Sequence, residues 1–304
     1  MQTQNTFLED LKHQYKYGGM TIRLVFINVI LFLSIRILSV FAGLTSGSGE
    51  LFIAKYITPI FGLHTDLTEF ITHPWTLFTS MFTHYGFWHL LWNMVFLYFA
   101  GKLFEQLFDQ KRLLYTYILG GIFGGLLEII AHIAFQKLQF TNDIVIGASG
   151  SVMAVFVAIA FYRPNLKVNM FGVFPVRIIV LAAIFILMDL LNLDKADGTA
   201  HFAHLGGAIL GFISIQNLHS SRNVVTAFQM MAQKTLQLFE KKNHQPRMKV
   251  KKGGNVRMKT DEEYNQEAKH KQEMTDAILD KISKSGYESL TKKEKEFLFN
   301  QSKK

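Results

Sequence analysis

GASGSVMAVFVAIAFY, residues 147–162, is the stretch on which the reading of this chain turns. From Val152 onward it is apolar, yet it opens on Ser149, a hydroxyl set between alanine and glycine. Hydrocarbon penalises a polar group unless the group pairs or lines a cavity, so polar residues in membrane-length segments are functional candidates by default. Two other apolar runs open the same way, one on His89-Leu-Leu-Trp-Asn93 and one on Ala203-His204-Leu-Gly-Gly207. A nucleophile, a base and two hydrogen-bond donors at one depth suggest a hydrolase inside a bilayer.

Composition supports a membrane setting. Of 304 residues 49% are hydrophobic, including 28 Phe, and the apolar ones concentrate before position 217. The lack of cysteine excludes disulfides, a thiolate nucleophile and a cysteine-based metal site. The formal charge is +9, and residues 217–304 carry 19 Lys/Arg against 11 Asp/Glu, so +8 of it lies in the tail. On a polytopic membrane protein, such a tail points to a cytoplasmic segment beside anionic lipid rather than to nucleic acid.

A spanning helix needs about 20 mainly apolar residues. Six segments qualify: 21–44, 86–108, 113–135, 144–162, 174–192 and 200–217. The first has no small-residue cleavage site at its end and is read as a retained anchor. The expected fold is thus all-α, a polytopic bundle of six transmembrane helices. Lys111, Arg112, Arg163, Lys167 and Arg177 share a face with the basic tail, whereas Asp143 and the acidic turn Asp194–Asp197 lie opposite. The positive-inside rule then places both termini in the cytoplasm and the folded connection 45–85, with its Trp75-Thr-Leu-Phe run, outside.

Spans two, four and six all run from outside to inside. His89 lies a few residues into span two, Ser149 about five into span four and His204 about four into span six, which is some 6–10 Å below the outer edge at about 1.5 Å per residue. Gly150, Ala154 and Ala158 face Gly207 and Gly211 as small-residue stripes that let helices four and six approach closely. A serine needs a base within reach, and His204 supplies it. No carboxylate is expected at this level, so the pair is read as a dyad. His89 and Asn93, on one helix face, would donate to an oxyanion together with the N–H of Ser149.

Together these stretches resemble the rhomboid family of intramembrane serine proteases. The resemblance rests on His84-Tyr-Gly-Phe-Trp-His89-Leu-Leu-Trp-Asn93, GASG at 147–150 and Ala203-His204-Leu-Gly-Gly207, and covers about residues 20–217. It implies Ser149 as nucleophile, His204 as general base, His89 and Asn93 in the oxyanion hole, and cutting of other proteins' transmembrane helices near their outer ends. It also implies that His84 sits near the site and that Gly101 and Glu105 are structural. Two positions depart from the family pattern. Trp75 is followed by Thr76 where arginine is frequent, and Met153 stands where an aromatic residue often lies beneath the histidine. Relatives that are proteolytically silent and only bind membrane proteins usually lack the serine or the histidine.

Glu128 and His132, four apart, are expected to pair locally. His201, one turn before His204, invites a metal reading with His84 and His89, but no HExxH motif is present and no acidic ligand is foreseen, so neither metal nor cofactor is expected. A cytoplasmic segment 1–19, the six-span domain 20–217, a basic amphipathic linker 218–260 and a small helical module 261–304 complete the expected organisation. Within the tail, 223–240 reads as an interfacial helix continuing span six. Lys241–Lys259 reads as a basic linker, Thr275–Ser285 as a helix stopped by Gly286, and Thr291-Lys-Lys-Glu294 as a capping box. The implied setting is a bacterial inner membrane, with transmembrane proteins as substrates and anionic lipid against the tail.

Overall fold

A computed structural model describes residues 7–135, 143–170, 174–195, 199–218, 220–239 and 260–302. The chain divides into two units, Met1–Glu240 and Lys241–Lys304. In the first unit α1 (Phe7–Tyr17) leads into the long α2 (Gly19–Ser46). Short pieces follow: α3 (Gly49–Phe52), α4 (Thr58–Phe61), β1 (Leu63–His64), α5 (Leu67–Thr72) and α6 (Thr76–Thr79). Then come α7 (Phe87–Leu107), α8 (Gln110–Ala134), β2 (Ile144–Val145) and α9 (Ser149–Tyr162). The hairpin β3 (Lys167–Met170) and β4 (Phe174–Arg177) precedes α10 (Ile178–Leu191), α11 (His201–Ser214) and α12 (Val224–Phe239). The fold is the expected all-α bundle, with only two short antiparallel ladders among the described residues.

The buried core centres on α9. Its sequence is apolar on every side, as befits a helix enclosed by others, and Val155, Phe156, Ala158, Ile159 and Ala160 are all fully buried. Around it stand α7, α8, α10 and α11. The α2 helix joins this group through its N-terminus, where the Glu105 carboxylate on α7 accepts from Met20 N (2.6 Å) and Thr21 N (3.1 Å). Those N–H groups have no partner within their own helix, so a carboxylate from α7 both satisfies them and complements the helix dipole. Gly101, one turn earlier, lies against the Thr21 side chain.

The structure shortens three of the expected spans. Gln110–Ala134 and Gly19–Thr45 are long and apolar enough to cross a bilayer unaided, whereas α9, α10 and α11 have 14 residues each. Span four begins at 149 rather than 144 because Ile144 and Val145 pair with His64 and Leu63, and because Gly147 has φ of 117°. Span five begins at 178 because Phe174–Arg177 form β4. Span six stops at Ser214, and Asn217 adopts φ of 51° in the turn that follows.

That turn also separates α12 from α11, so the tail helix does not continue span six. Asn223 Oδ1 accepts from Val225 N and Thr226 N at 3.1 Å, capping α12, while its Nδ2 donates to Ser214 O (2.8 Å) and Gln216 O (2.7 Å) at the end of α11. Arg112 reaches the same place, donating to Ser214 O (2.6 Å) and Asn223 Oδ1 (3.0 Å). Helix ends leave carbonyls without intrahelical partners, and here two side chains satisfy them. Val225 is fully buried, which ties α12 to the body of the bundle.

The connection after α2 is folded, as expected. Trp75 Nε1 donates to Ile60 O (2.8 Å) and Thr79 Oγ1 to Phe61 O (2.9 Å). It is also tied to the segment before Ser149: Gly147 N donates to Ser80 O (2.9 Å) and Thr65 N to Asp143 O (3.0 Å).

The α9–α11 seam explains the small-residue stripes. A Cβ placed on Gly207 would run into the carbonyl oxygen of Gly150, and one on Gly211 would meet Ala154 O at 2.5 Å. Because the obstacle at Gly207 is backbone, no side-chain rotation relieves it. Gly207→Ala is therefore expected to destabilise the protein by about 1–3 kcal/mol, the range for overpacking. A thermal melt matching wild type would show that α11 can move away from α9 freely.

The second unit holds α13 (Asp261–Ser285) and α14 (Lys292–Ser302). The first starts 14 residues before the expected Thr275, at a capping box in which Thr260 Oγ1 accepts from Glu263 N and the Glu263 carboxylate accepts from Thr260 N. Gly286, with φ of 77°, stops it as expected. The anticipated box at Thr291–Glu294 forms: Glu294 Oε2 accepts from Thr291 N (2.7 Å) and Thr291 Oγ1 (2.8 Å), and Lys281 Nζ donates to its other oxygen. The Thr291 N–H is foremost among the partners that hold this carboxyl well below its usual range, at about 2. Lys241, Lys242, Lys249, Lys251 and Lys252, in the expected basic linker, lie outside the described residues.

Candidate functional site

Ser149 is the first residue of α9. The turn before it is held from three sides: Gly147 N on Ser80 O, Ala148 N on His84 Nε2 at 3.4 Å, and the His89 ring directly against Gly147. A Cβ on Gly147 would lie 2.7 Å from His89 Nε2, so glycine is needed there for space as well as for its positive φ. As the start of a helix, Ser149 presents an N–H with no intrahelical acceptor, at the positive end of the dipole.

His204 lies in the first turn of α11, on the helix that the seam presses against α9. Gly150, next to Ser149, packs on the carbonyl of Ala203, next to His204, with only 3.0 Å between that oxygen and a Cβ on Gly150. Ser149, His204, His89, Asn93, Asp189 and His201 all line one cavity of about 800 Å³. The four residues singled out from sequence thus open onto a common space. Among the described residues no hydrogen bond links Ser149 to His204; such bonds are often long without substrate and tighten when it binds. Asn93 is buried and its Nδ2 donates to His89 O in its own helix (2.9 Å). The His89 ring is exposed and edge-on to His84 at 5.1 Å. Met153 stands one turn below Ser149 in the cavity wall.

One expectation fails here. A carboxylate does lie at this level: Asp189 Oδ1 on α10 is 2.9 Å from His204 Nδ1 and 2.7 Å from His201 Nδ1. The signal was available in the sequence. Span five runs opposite to spans four and six, so a residue near its C-terminal end lies level with residues near their N-terminal ends. The same cluster corrects the statement that no acidic group joins the histidines. Asp189, His201 and His204 place three ligand-type atoms within 4.8 Å of one another, and the two short hydrogen bonds account for that spacing.

Glu128 was expected to pair with His132, and the two lie 3.6 Å apart. It has a second role that sequence reasoning missed. From α8 its Oε2 accepts from Ala203 N at 2.8 Å, satisfying an N–H in the first turn of the helix that bears His204. The carboxylate is buried, so this contact fixes where α11 begins relative to α8.

Comparison with known proteins gives the family of the segment that carries the cavity. Residues 72–221, which contain every residue of the cavity cluster named above, match the family description "Rhomboid domain". Residues 259–304 match a family of unknown function (DUF6576). RHOMBOID-like protein 12, mitochondrial, of Arabidopsis thaliana is 28% identical over 158 residues, which are 48% of this chain and 47% of that protein. RHOMBOID-like protein 1 of the same plant is 31% identical over 142 residues, 46% of this chain and 33% of the relative. The protein named "Putative rhomboid protease YdcA" from Bacillus subtilis (strain 168) is 26% identical over 144 residues, 47% of this chain and 68% of that one. The chain spans less than half the length of the two plant relatives. Residues 72–221 of this chain are thus a rhomboid domain, the mark of a family of membrane proteins.

Proposed function

We propose that this protein is an intramembrane serine endopeptidase that cuts the transmembrane helices of other proteins. The observation that carries the reading is that Ser149, at the start of α9, and His204, on the helix packed against α9 glycine to carbonyl, open onto one cavity with His89 and Asn93. The six helices α2, α7, α8, α9, α10 and α11 would cross a bacterial inner membrane with both termini in the cytoplasm, as the loop charges suggest. A 14-residue helix is about 21 Å long, so α9 falls short of a hydrocarbon core of about 30 Å. That shortfall sets Ser149 below the outer surface while leaving it open to the cavity.

The chemistry follows from these positions. The Oγ of Ser149 bonds to the carbonyl carbon of the scissile peptide while its proton passes to His204 Nε2 and the carbonyl π pair moves onto oxygen. The resulting oxyanion meets the Ser149 N–H, Asn93 Nδ2 and His89. Re-formation of the carbonyl breaks the C–N bond, and the leaving nitrogen takes the proton from Nε2. Water then attacks the acyl-serine through the same base and restores the Ser149 hydroxyl.

The test is covalent labelling. A fluorophosphonate should modify Ser149 in the folded protein and fail to do so in His204→Ala. Unlabelled wild-type protein in liposomes, or label on another serine, would remove this reading.

The basic tail is proposed to hold anionic lipid, each charge near the surface contributing about 1 kcal/mol. Removing residues 241–304, beyond the last residue of α12, should weaken binding to phosphatidylserine vesicles in a salt-dependent way and leave cleavage of a short model helix intact. Equal vesicle binding by the shortened protein would contradict the lipid role.

A further inference from the structure

We infer that Asp189 completes a Ser149–His204–Asp189 relay, as a positioning residue that acts through the base; the inference rests on the peptidase reading. Three observations carry it. Asp189 Oδ1 is 2.9 Å from His204 Nδ1, a length suited to a charge-assisted bond. The carboxylate is buried, at 7% exposure, where hydrocarbon would penalise an unpaired charge. It also comes from α10, a helix that contributes none of the four residues recognised from sequence, so the base is clamped between α10 and α11.

An imidazole whose Nδ1–H donates to a carboxylate is fixed in the tautomer that leaves Nε2 unprotonated and directed away from that carboxylate. Nε2 is the nitrogen that takes the Ser149 proton. When the proton arrives, the positive charge on the ring forms next to an anion already in place and oriented. Asp189 accepts the hydrogen bond throughout and takes no proton itself.

His201 makes the arrangement specific. Its Nδ1 lies 2.7 Å from the same Oδ1, one helical turn before His204. Two imidazoles from α11 therefore hold one carboxylate of α10, and the carboxylate cannot swing toward either without stretching the other bond. The charged and titratable groups facing His204 are then Asp189 from α10, His201 from its own helix, Glu128 from α8 and His89 from α7. Of these, Asp189 is the acceptor on its ring nitrogen. This clamp also offsets the Met153 departure: orientation of His204 does not depend on an aromatic ring beneath it.

The experiment uses the full chain in liposomes. Asp189→Asn should melt close to wild type yet lower kcat by about 10²- to 10⁴-fold, the range for loss of an orienting carboxylate, with KM changed less than about two-fold. In a His204→Ala background the same substitution should cause no further loss, because Asp189 acts only through that ring. A further drop there would mark a structural role and overturn the inference, as would wild-type kcat in Asp189→Asn. Should the variant fail to fold, wild-type protein decides. An NMR signal from a strongly deshielded Nδ1 proton, assigned to His204 by its loss in His204→Gln, is expected, and its absence overturns the relay. Activity removed by a chelator and restored by zinc would instead make the cluster a ligand set and overturn it too. Wild-type protein that neither cleaves nor labels would end the peptidase reading itself, and this role with it.

Discussion

Ser149→Ala and His204→Ala are each expected to lower cleavage of a transmembrane helix by about 10⁴-fold or more, with little additional loss in the double variant. Groups that act as one unit are non-additive in this way, since removing either leaves the other with nothing to do. The structural basis is the α9–α11 seam. Gly150 and Gly207 bring the two backbones together, which sets Ser149 and His204 on adjoining helix starts around one cavity. Neither substitution adds volume, so both variants should melt near wild type. Substantial cleavage by folded Ser149→Ala protein would show that another group attacks the peptide.

Loss of an oxyanion donor should also slow the chemical step. Asn93→Ala and His89→Ala are each expected to reduce kcat by about 10- to 1,000-fold, the scale for one such donor. Asn93 Nδ2 spends one of its two hydrogens on His89 O in this structure, which anchors the amide and leaves the second N–H to serve the oxyanion. His89 rests against Gly147, two residues before Ser149, and is already at the mouth of the turn. If Asn93→Ala unfolds the protein while the surviving molecules stay fully active, Asn93 is helix glue.

Much of this was legible in the sequence, for identifiable reasons. Apolar length announced the helices, and the spacing of Gly207 and Gly211 against Gly150, Ala154 and Ala158 announced which pair would touch. Those glycines meet backbone atoms of α9 in the structure. Helix ends were less legible. Ile144, Val145 and Phe174 are as apolar as the helices they precede, yet they pair as strands, the first two with His64 and Leu63 some eighty positions away and Phe174 with Met170 in a hairpin. Arg112 read as a loop charge, whereas it is buried and binds the end of α11 across about a hundred positions of sequence.

Asp189 was the largest omission, and Glu128 was read only as the partner of His132. Glu128 and Asp189 sit on helices that carry no other site residue, and each reaches α11 from a different side. Reading each span by its own N-terminal polar group favours the parallel helices α7, α9 and α11. It hides groups at the C-terminal ends of the antiparallel ones, α8 and α10. A search for polar residues at matched depth, with direction of travel included, finds both.

The most direct test of the central claim is product mapping. Wild-type protein in liposomes is mixed with a fluorescent single-span helix, and the fragment masses are read. Two fragments meeting at a single bond in the outer third of the helix, absent with Ser149→Ala, are the predicted result. An intact helix after prolonged incubation with folded, fluorophosphonate-reactive protein, or identical fragments from Ser149→Ala, would contradict it.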